Sequence, residues 1–183
     1  DSIKKNFGSA KIITSHNTLA HIDNWDEIAR SVYKLLDKDG VFIFEVGYFV
    51  DVFNNNLFDT IYHEHLDYHT LYPLSLFMKK HNMIIFHTER IHSQGGSIRV
   101  YVKKSESKIK VQKTVQNLIR LERKNKMFNL KNLRTFEEKL LFKKSKIKKL
   151  LSDIQKSNKV IIGYGAPTKA TTLMYYFGIK KYI

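Results

Sequence analysis

The chain reads as an α/β protein, and three observations carry that reading. A helix-period segment at 24–37 runs into a nearly unbroken apolar stretch, V-F-I-F-E-V at 41–46. A second helical segment at 74–80 leads into another apolar stretch at 83–88. A third apolar stretch, 97–102, follows a turn that contains S-Q-G-G. Alternating helix and strand implies a parallel sheet with crossover helices, and two strands joined without a helix imply an antiparallel member at its end.

Each element has its own signal. The first strand is short, K-I-I-T at 11–14, and the polar residues Ser15, His16 and Asn17 follow it. In the helix at 24–37, Trp25, Ile28, Ala29, Val32, Leu35 and Leu36 recur at three-and-four spacing. Asn24 and Glu27 stand at capping-box spacing at its start, and Gly40 follows its expected end. The run 41–46 suits a strand covered on both faces. Residues 48–69 are aromatic and polar without a clean period. Pro73 then opens a helix from a first-turn position, where its missing N–H costs nothing. From 105 to 158 the chain is helical and charged. Val111, Val115, Leu118 and Ile119 form one apolar stripe, and Leu133, Phe136, Leu140, Ile147, Leu150 and Ile154 form another. Both read as packing faces. Finally 160–162 reads as a strand, G-Y-G-A-P at 163–167 as a turn and 168–177 as a helix, the opening of another α/β unit. No internal repeat is visible.

Composition bounds the function. The 183 residues are 43% hydrophobic and 13% aromatic, enough to bury a core in one or two domains. The chain starts at Asp1 and stops just after a helical run, and it is read as an excerpt of a longer protein. No apolar run is long enough to span a bilayer, so no membrane role is expected, and a cytoplasmic location fits. Cysteine is absent, which excludes disulfides and thiolate metal sites within the chain. The net charge of +15 invites a nucleic-acid reading. Its lysines, however, concentrate between 103 and 159 in helix-period sequence, without the arginine and aromatic interleaving of a nucleic-acid reader. They read as the solvated faces of helices.

The chemistry concentrates in T-I-Y-H-E-H-L-D-Y at 60–68, which brings two imidazoles, two carboxylates and two phenols together after the strand that ends in E-V-G. Histidine titrates near neutrality, a neighbouring carboxylate can hold the imidazolium, and a phenol can donate to a developing oxyanion. His65 is the candidate base, Glu64 its orienting or proton-sharing partner, and Tyr62 the donor. His63, His65 and His69 with Asp67 also suggest a zinc or iron site if 63–65 is extended, but nothing fixes His69 on the same side, and no metal is assigned. The turn around Gly163, Tyr164 and Gly165, with Lys169 in the helix that follows, reads either as a phosphate cradle at a helix N-terminus or as a plain tight turn. It lacks the spacing of a Walker loop or a dinucleotide fingerprint. Asn17 and His21 follow a strand end, where open α/β sheets bind ligands, although helix capping explains them equally well. S-Q-G-G at 93–96 is hairpin punctuation that could lie beside a substrate, with Arg99 close by.

Four stretches in order carry a family resemblance: H-N-T-L-A-H-I-D-N-W-D (16–26), E-V-G-Y-F-V-D with F-D-T-I-Y-H-E-H-L-D-Y (45–51 and 58–68), Q-G-G-S-I-R-V-Y-V (94–102) and G-Y-G-A-P-T-K (163–169). The chain resembles the sugar C-methyltransferases, which use S-adenosylmethionine to methylate a carbon of a nucleotide-linked deoxysugar. The resemblance implies the C-terminal half of a Rossmann-type class I methyltransferase domain at 1–104, a helical connection at 105–158, and the start of a C-terminal α/β domain at 159–183. It places an N-terminal zinc module and the glycine-rich cofactor loop outside this chain, leaving the end of the fourth strand of that domain, around His16, Asn17, Leu19 and Ala20, near the cofactor; with the strand-end reading above, Asn17 and His21 are the expected cofactor contacts. It assigns catalysis to Tyr62, Glu64 and His65. Tyr68 is an expected substrate contact, and so are Gly163, Tyr164, Gly165 and Lys169 on the phosphate-cradle reading of their turn. The oligomeric state is unknown. The fragment alone is expected to be inactive. A departure stands at the last motif, where the family has glycine and asparagine after the lysine and this chain has Ala170 and Thr171. The alternative reading is a non-catalytic nucleotide-sugar or phosphate-binding module built on the 163–169 turn.

Overall fold

The computed structural model describes residues 2–183. In chain order it contains α1 (Ser2–Phe7), β1 (Ala10–His16), α2 (Trp25–Leu35), β2 (Leu36–Gly47), α3 (Phe49–Asn55), α4 (Leu71–Lys80), β3 (Met83–Ile91), β4 (Ser97–Lys104), α5 (Lys113–Lys124), α6 (Leu130–Lys156) and α7 (Thr168–Phe177). The sheet order is β1-β2-β4-β3. β1 and β2 run parallel, and β4 pairs antiparallel with both β2 and β3. The mixed α/β architecture and the antiparallel pair at the sheet edge agree with the sequence pattern.

The start of α2 follows its signal. The Asn24 side chain accepts a hydrogen bond from the Glu27 amide at 3.1 Å, and its own amide reaches the Glu27 carboxylate at 3.4 Å. Its end does not follow the signal. The helix stops at Leu35, and Gly40 lies inside β2. A Cβ at Gly40 would come within 2.7 Å of the Ala10 carbonyl oxygen, beside the register irregularity between Ala10 and Ile12. Here the glycine marks close backbone approach in an irregular strand rather than a helix stop.

β2 alternates. Phe42, Phe44 and Val46 are buried with Ile98, Val100 and Val102 of β4 and with Met83 and Ile85 of β3. α2 adds Ala29 and Val32 to this core, α4 adds Leu74 and Met78, and α5 adds Val115 and Leu118. Glu45 belongs to an ion row across the sheet instead. It accepts from Arg99 Nε at 2.7 Å and meets His16 Nδ1 at 3.1 Å, while the other arm of Arg99 reaches Glu89 at 3.2 Å. Burial alone would raise the Glu45 carboxyl, but the Arg99 and His16 hydrogen bonds outweigh it and hold the group below the ordinary carboxylate range. Arg99 is thereby committed to the sheet rather than to a ligand.

In α6, Leu133 and Phe136 pack against the main core. Leu140 joins Phe58, Phe177 and Ile179 in a second cluster that seats α7. Leu150, on the same expected stripe, is exposed. The strand expected at 160–162 does not form. Residues 159–167 have no regular structure, and Val160 and Ile162 are each 85% exposed. A strand needs a neighbour to take its backbone hydrogen bonds, and the sheet among the described residues consists of β1 to β4 alone. The helix at 168–177 forms at its expected position. No helix among the described residues is long and apolar enough to cross a membrane.

Candidate functional site

The loop that carries Y-H-E-H connects α3 to α4 and is tied down along its length. At its start, Asn56 takes a left-handed conformation with φ 53°, which asparagine tolerates, and turns the chain out of α3. The next residues form a short 3-10 turn, in which Phe58 is buried and stacks on Phe177 and Tyr176 of α7 with ring centroids 5.6 and 4.7 Å away. In the middle, the Leu66 amide donates to the Ala20 carbonyl at 2.9 Å. At its end, His69 bridges to Tyr48, and its carbonyl accepts from the Phe49 amide at 2.9 Å. The His65 amide donates to the Tyr62 carbonyl at 3.0 Å, so 63–65 is a turn and not the extended strand on which His63 and His65 would share a face.

These anchors close a pocket at the carboxyl ends of the parallel strands β1 and β2. Asn17 and His21 line it from the turn after β1, and Val46 and Gly47 from the end of β2. Tyr62, His65, Asp67 and Tyr68 come from the loop, Gln94 and Gly96 from the β3–β4 turn, and Lys169 from the first turn of α7. Three of these segments, far apart in sequence, thus bring the expected residues Asn17, His21, Tyr62, His65, Tyr68 and Lys169 together.

His65 has a defined tautomer. Its Nδ1 lies 2.9 Å from the Thr60 carbonyl oxygen, which only accepts, so Nδ1 carries the proton. Nε2 is then free to accept, and the Tyr62 hydroxyl donates to it at 3.2 Å. Burial holds the His65 imidazole below its ordinary value; the Thr60 bond opposes this, His21 and Lys169 reinforce it, and Glu64 opposes it. The ring is neutral at pH 7, the state a base requires. Burial, with the Glu64 charge adding to it, raises the Tyr62 phenol, which keeps its proton for donation. Tyr68 donates to the same Thr60 carbonyl at 3.2 Å, and burial raises its phenol too.

Other expected residues stand elsewhere. Glu64 does not line the pocket; its carboxylate faces His63 at 4.0 Å on the exposed side of the loop. His69 is buried against Trp25, with ring centroids 4.9 Å apart, and burial pushes its imidazole down to about 4. His63, His65 and His69 therefore point to three different surroundings. No cluster of three or more metal-ligating side chains occurs among the described residues. Gly163, Tyr164 and Gly165 lie outside the pocket, and Tyr164 is fully exposed. From that motif only Lys169 reaches the site, with Asp59 Oδ2 3.8 Å from its Nζ.

Three contributors stand outside the expected site residues. The Thr60 carbonyl is a backbone atom. Asp59 becomes relevant only once α7 is docked. Glu122 of α5 is wholly buried and accepts from the Leu71 amide at 2.5 Å, the Tyr72 amide at 3.0 Å and the Tyr48 hydroxyl at 3.2 Å. One signal does exist for Glu122. It is an acid on the apolar face marked by Val115 and Leu118, at i+7 and i+4 from them.

Comparison with known proteins adds to this geometry. The family described as C-methyltransferase C-terminal domain matches residues 92–183. The C-methyltransferase NovU of Streptomyces niveus is 31% identical over 181 residues, a span that covers 98% of this chain and 43% of that protein. The chain thus spans less than half the length of this curated relative.

Proposed function

This chain belongs to the sugar C-methyltransferase family, as its C-terminal portion, and on that premise we propose that the loop pocket performs the proton chemistry of S-adenosylmethionine-dependent carbon methylation on a nucleotide-linked keto-deoxysugar. One observation carries the reading: a neutral, half-buried His65 whose Nε2 receives the Tyr62 hydroxyl inside a pocket at the ends of parallel strands.

A saturated carbon has no lone pair, so methylation must begin by removing a proton made acidic by an adjacent ketone. His65 Nε2 takes that proton. The C–H electron pair moves into the C–C bond as the carbonyl oxygen gains charge. The Tyr62 hydroxyl that rests on Nε2 turns to donate to this enolate oxygen, and the same movement uncovers the base. Glu64 acts through its charge, which keeps the Tyr62 phenol protonated and supports the imidazolium. Thr60 holds the ring and the Tyr68 hydroxyl in register. Lys169 and Tyr68 bind the nucleotide-sugar, and Lys169 draws its anionic part toward the mouth of α7. The exposed Gly163, Tyr164 and Gly165 contribute the turn that sets the start of this helix. Asn17 and His21 fit one edge of the cofactor: they stand at the strand end, and a Cβ placed at Gly47 meets nothing within 4 Å, which leaves room beside the backbone. Bound there, S-adenosylmethionine would supply an electrophilic methyl group for the enolate carbon, its sulfonium sulfur leaving with the electron pair of the broken S–CH₃ bond. In this reading residues 1–104 are the catalytic unit, 105–158 the helical connection and 159–183 the start of a C-terminal α/β unit.

The test needs no methyl transfer. Intact enzyme in D₂O with the keto-sugar nucleotide should exchange the proton beside the ketone, and His65→Ala should slow this exchange by about 10²–10⁴-fold, the span of general-base catalysis. Exchange within about threefold of the parent would remove His65 as the base.

A further inference from the structure

Outside the pocket, the most heavily bonded buried group is Glu122. It is 0% exposed on α5, between the amides that begin α4 and the tyrosine that follows β2. Its three donors lie where the reactive loop is fastened. Leu71 and Tyr72 follow the loop directly, and their amides are unsatisfied by the helix itself, because the first N–H groups of α4 have no partner one turn back. Thr70, at the position before this helix, makes no side-chain cap of its own. The carboxylate therefore caps α4 from a different element. Tyr48 follows Gly47 of the pocket wall, bridges to His69, and takes the Gly96 carbonyl through its amide at 3.1 Å. Glu122 thus joins Tyr48 to the start of α4, and the Tyr48 backbone in turn meets the β3–β4 turn and the end of the loop.

We propose that Glu122 is a positioning residue for the reactive loop: by capping α4 and holding Tyr48 it fixes where residues 60–69 place His65 and Tyr62. The proposal rests on the reading of His65 as base. Its chemistry is specific to a carboxylate. Three donors converge on two oxygens, and glutamine offers one acceptor oxygen and an NH₂ that must face a donor. A buried donor left without its acceptor shifts until it finds one, and the segment it belongs to moves with it. Displacing a reacting group by about 1 Å costs up to about 10²-fold in rate, even when the cause lies far from the chemistry.

The experiment is a double-mutant cycle on the intact enzyme, with hydrogen exchange as a second readout. Glu122→Gln in the parent should lower kcat by about ten- to hundredfold with the sugar-nucleotide KM within about threefold. In the His65→Ala background the same change should have almost no further effect on residual turnover, because the loop no longer carries the base. Equal losses in both backgrounds would mean that Glu122 only supports the fold, and would overturn the proposal while leaving His65 as base. Amide exchange should speed up over 60–72 and leave β3 and β4 protected; unchanged exchange at 60–72 also overturns it. If His65→Ala itself keeps parental turnover, the base assignment fails, and the exchange pattern alone decides whether Glu122 positions the loop. Where Glu122→Gln does not fold, Tyr48→Phe removes one of the three bonds. It should show the same non-additivity at about two- to fivefold, and additive losses would overturn the proposal.

Discussion

Two segments of this chain carry chemistry in their residue types, the loop at 58–68 and the turn at 163–167, and the fold treats them differently. The loop is fastened at its start by Phe58 on α7, in its middle by the Leu66–Ala20 bond, and at its end by the His69 bridge and the Glu122 cap. The turn exposes Tyr164 completely, and its flanking Val160 and Ile162 are 85% exposed. Functional residue types in a row become a site when neighbouring elements satisfy the backbone that carries them and remove it from water. In the turn that condition is met only one step later, where Lys169 sits on a helix that packs against the loop.

The largest difference to expect between the two segments is one of pH. His69 closes the fastened loop, and burial pushes its imidazole from 6.5 down to about 4, with His65 reinforcing this and Asp67 opposing it. Unfolded, the ring takes its proton near 6.5; folded, it does so only near 4. Between these values the unfolded state binds more protons, so stability falls as the pH drops through that window. The span corresponds to about 3 kcal/mol. Urea unfolding of the intact protein at pH 7, 5.5 and 4 should show this loss, and His69→Phe should abolish most of it. The same slope in both proteins would mean that His69 is hydrated in solution and that the loop end is less well fastened than its contacts indicate.

Lys169 sharpens the comparison from the other side, because it belongs to the exposed motif by sequence and to the pocket by position. Lys169→Ala in the intact enzyme should raise the apparent sugar-nucleotide constant about five- to hundredfold, the equivalent of one lost charged hydrogen bond of about 1–3 kcal/mol, with kcat within about threefold at pH 8. Lys169 also helps to hold the His65 imidazole down, so the acid limb of the rate profile should move to higher pH in the variant. Titration with the nucleoside diphosphate alone separates the contributions. Equal binding by parent and variant would make Lys169 a link between loop and helix with no ligand contact.

What was legible in the sequence follows the same division between local and distant causes. Helix–strand alternation and the Asn24–Glu27 cap are local, and both appear in the structure where the pattern puts them. Residue types at 62–65 suggest the proposed proton chemistry, and their spacing brings the phenol within reach of the imidazole in a turn. Gly40 reads as a helix stop in the sequence yet lies inside β2, because close strand approach also favours glycine and depends on the distant Ala10 carbonyl. The strand at 160–162 failed because pairing is not a property of the segment itself. Glu64 faces His63 rather than the His65 ring, because side chains that are adjacent in sequence point apart in the turn, and residue type alone does not show this. Glu122 lies 51 and 50 residues from the amides it caps, and an acid on an apolar stripe gives no hint of which donors it will meet.

The smallest expected effect is the most direct test of the contrast. Tyr164 is the most conspicuous side chain of the turn motif, and it is fully exposed. An exposed substitution that removes no cap, core contact or buried hydrogen bond changes stability by no more than about 0.5 kcal/mol. Tyr164→Ala should therefore leave the unfolding midpoint of the intact protein almost unchanged. The proposed division of labour also requires that turnover stay within about twofold, because the turn shapes the start of α7 through its backbone and Lys169 alone reaches the ligand. A larger rise in the sugar-nucleotide constant than Lys169→Ala produces would reverse the comparison. It would mean that the exposed turn closes over the ligand when substrate binds, and that its exposure belongs to the resting state only. An intermediate result would be resolved by the two variants together. Independent contacts multiply their losses, whereas a turn that acts only by placing Lys169 adds nothing once the lysine is gone.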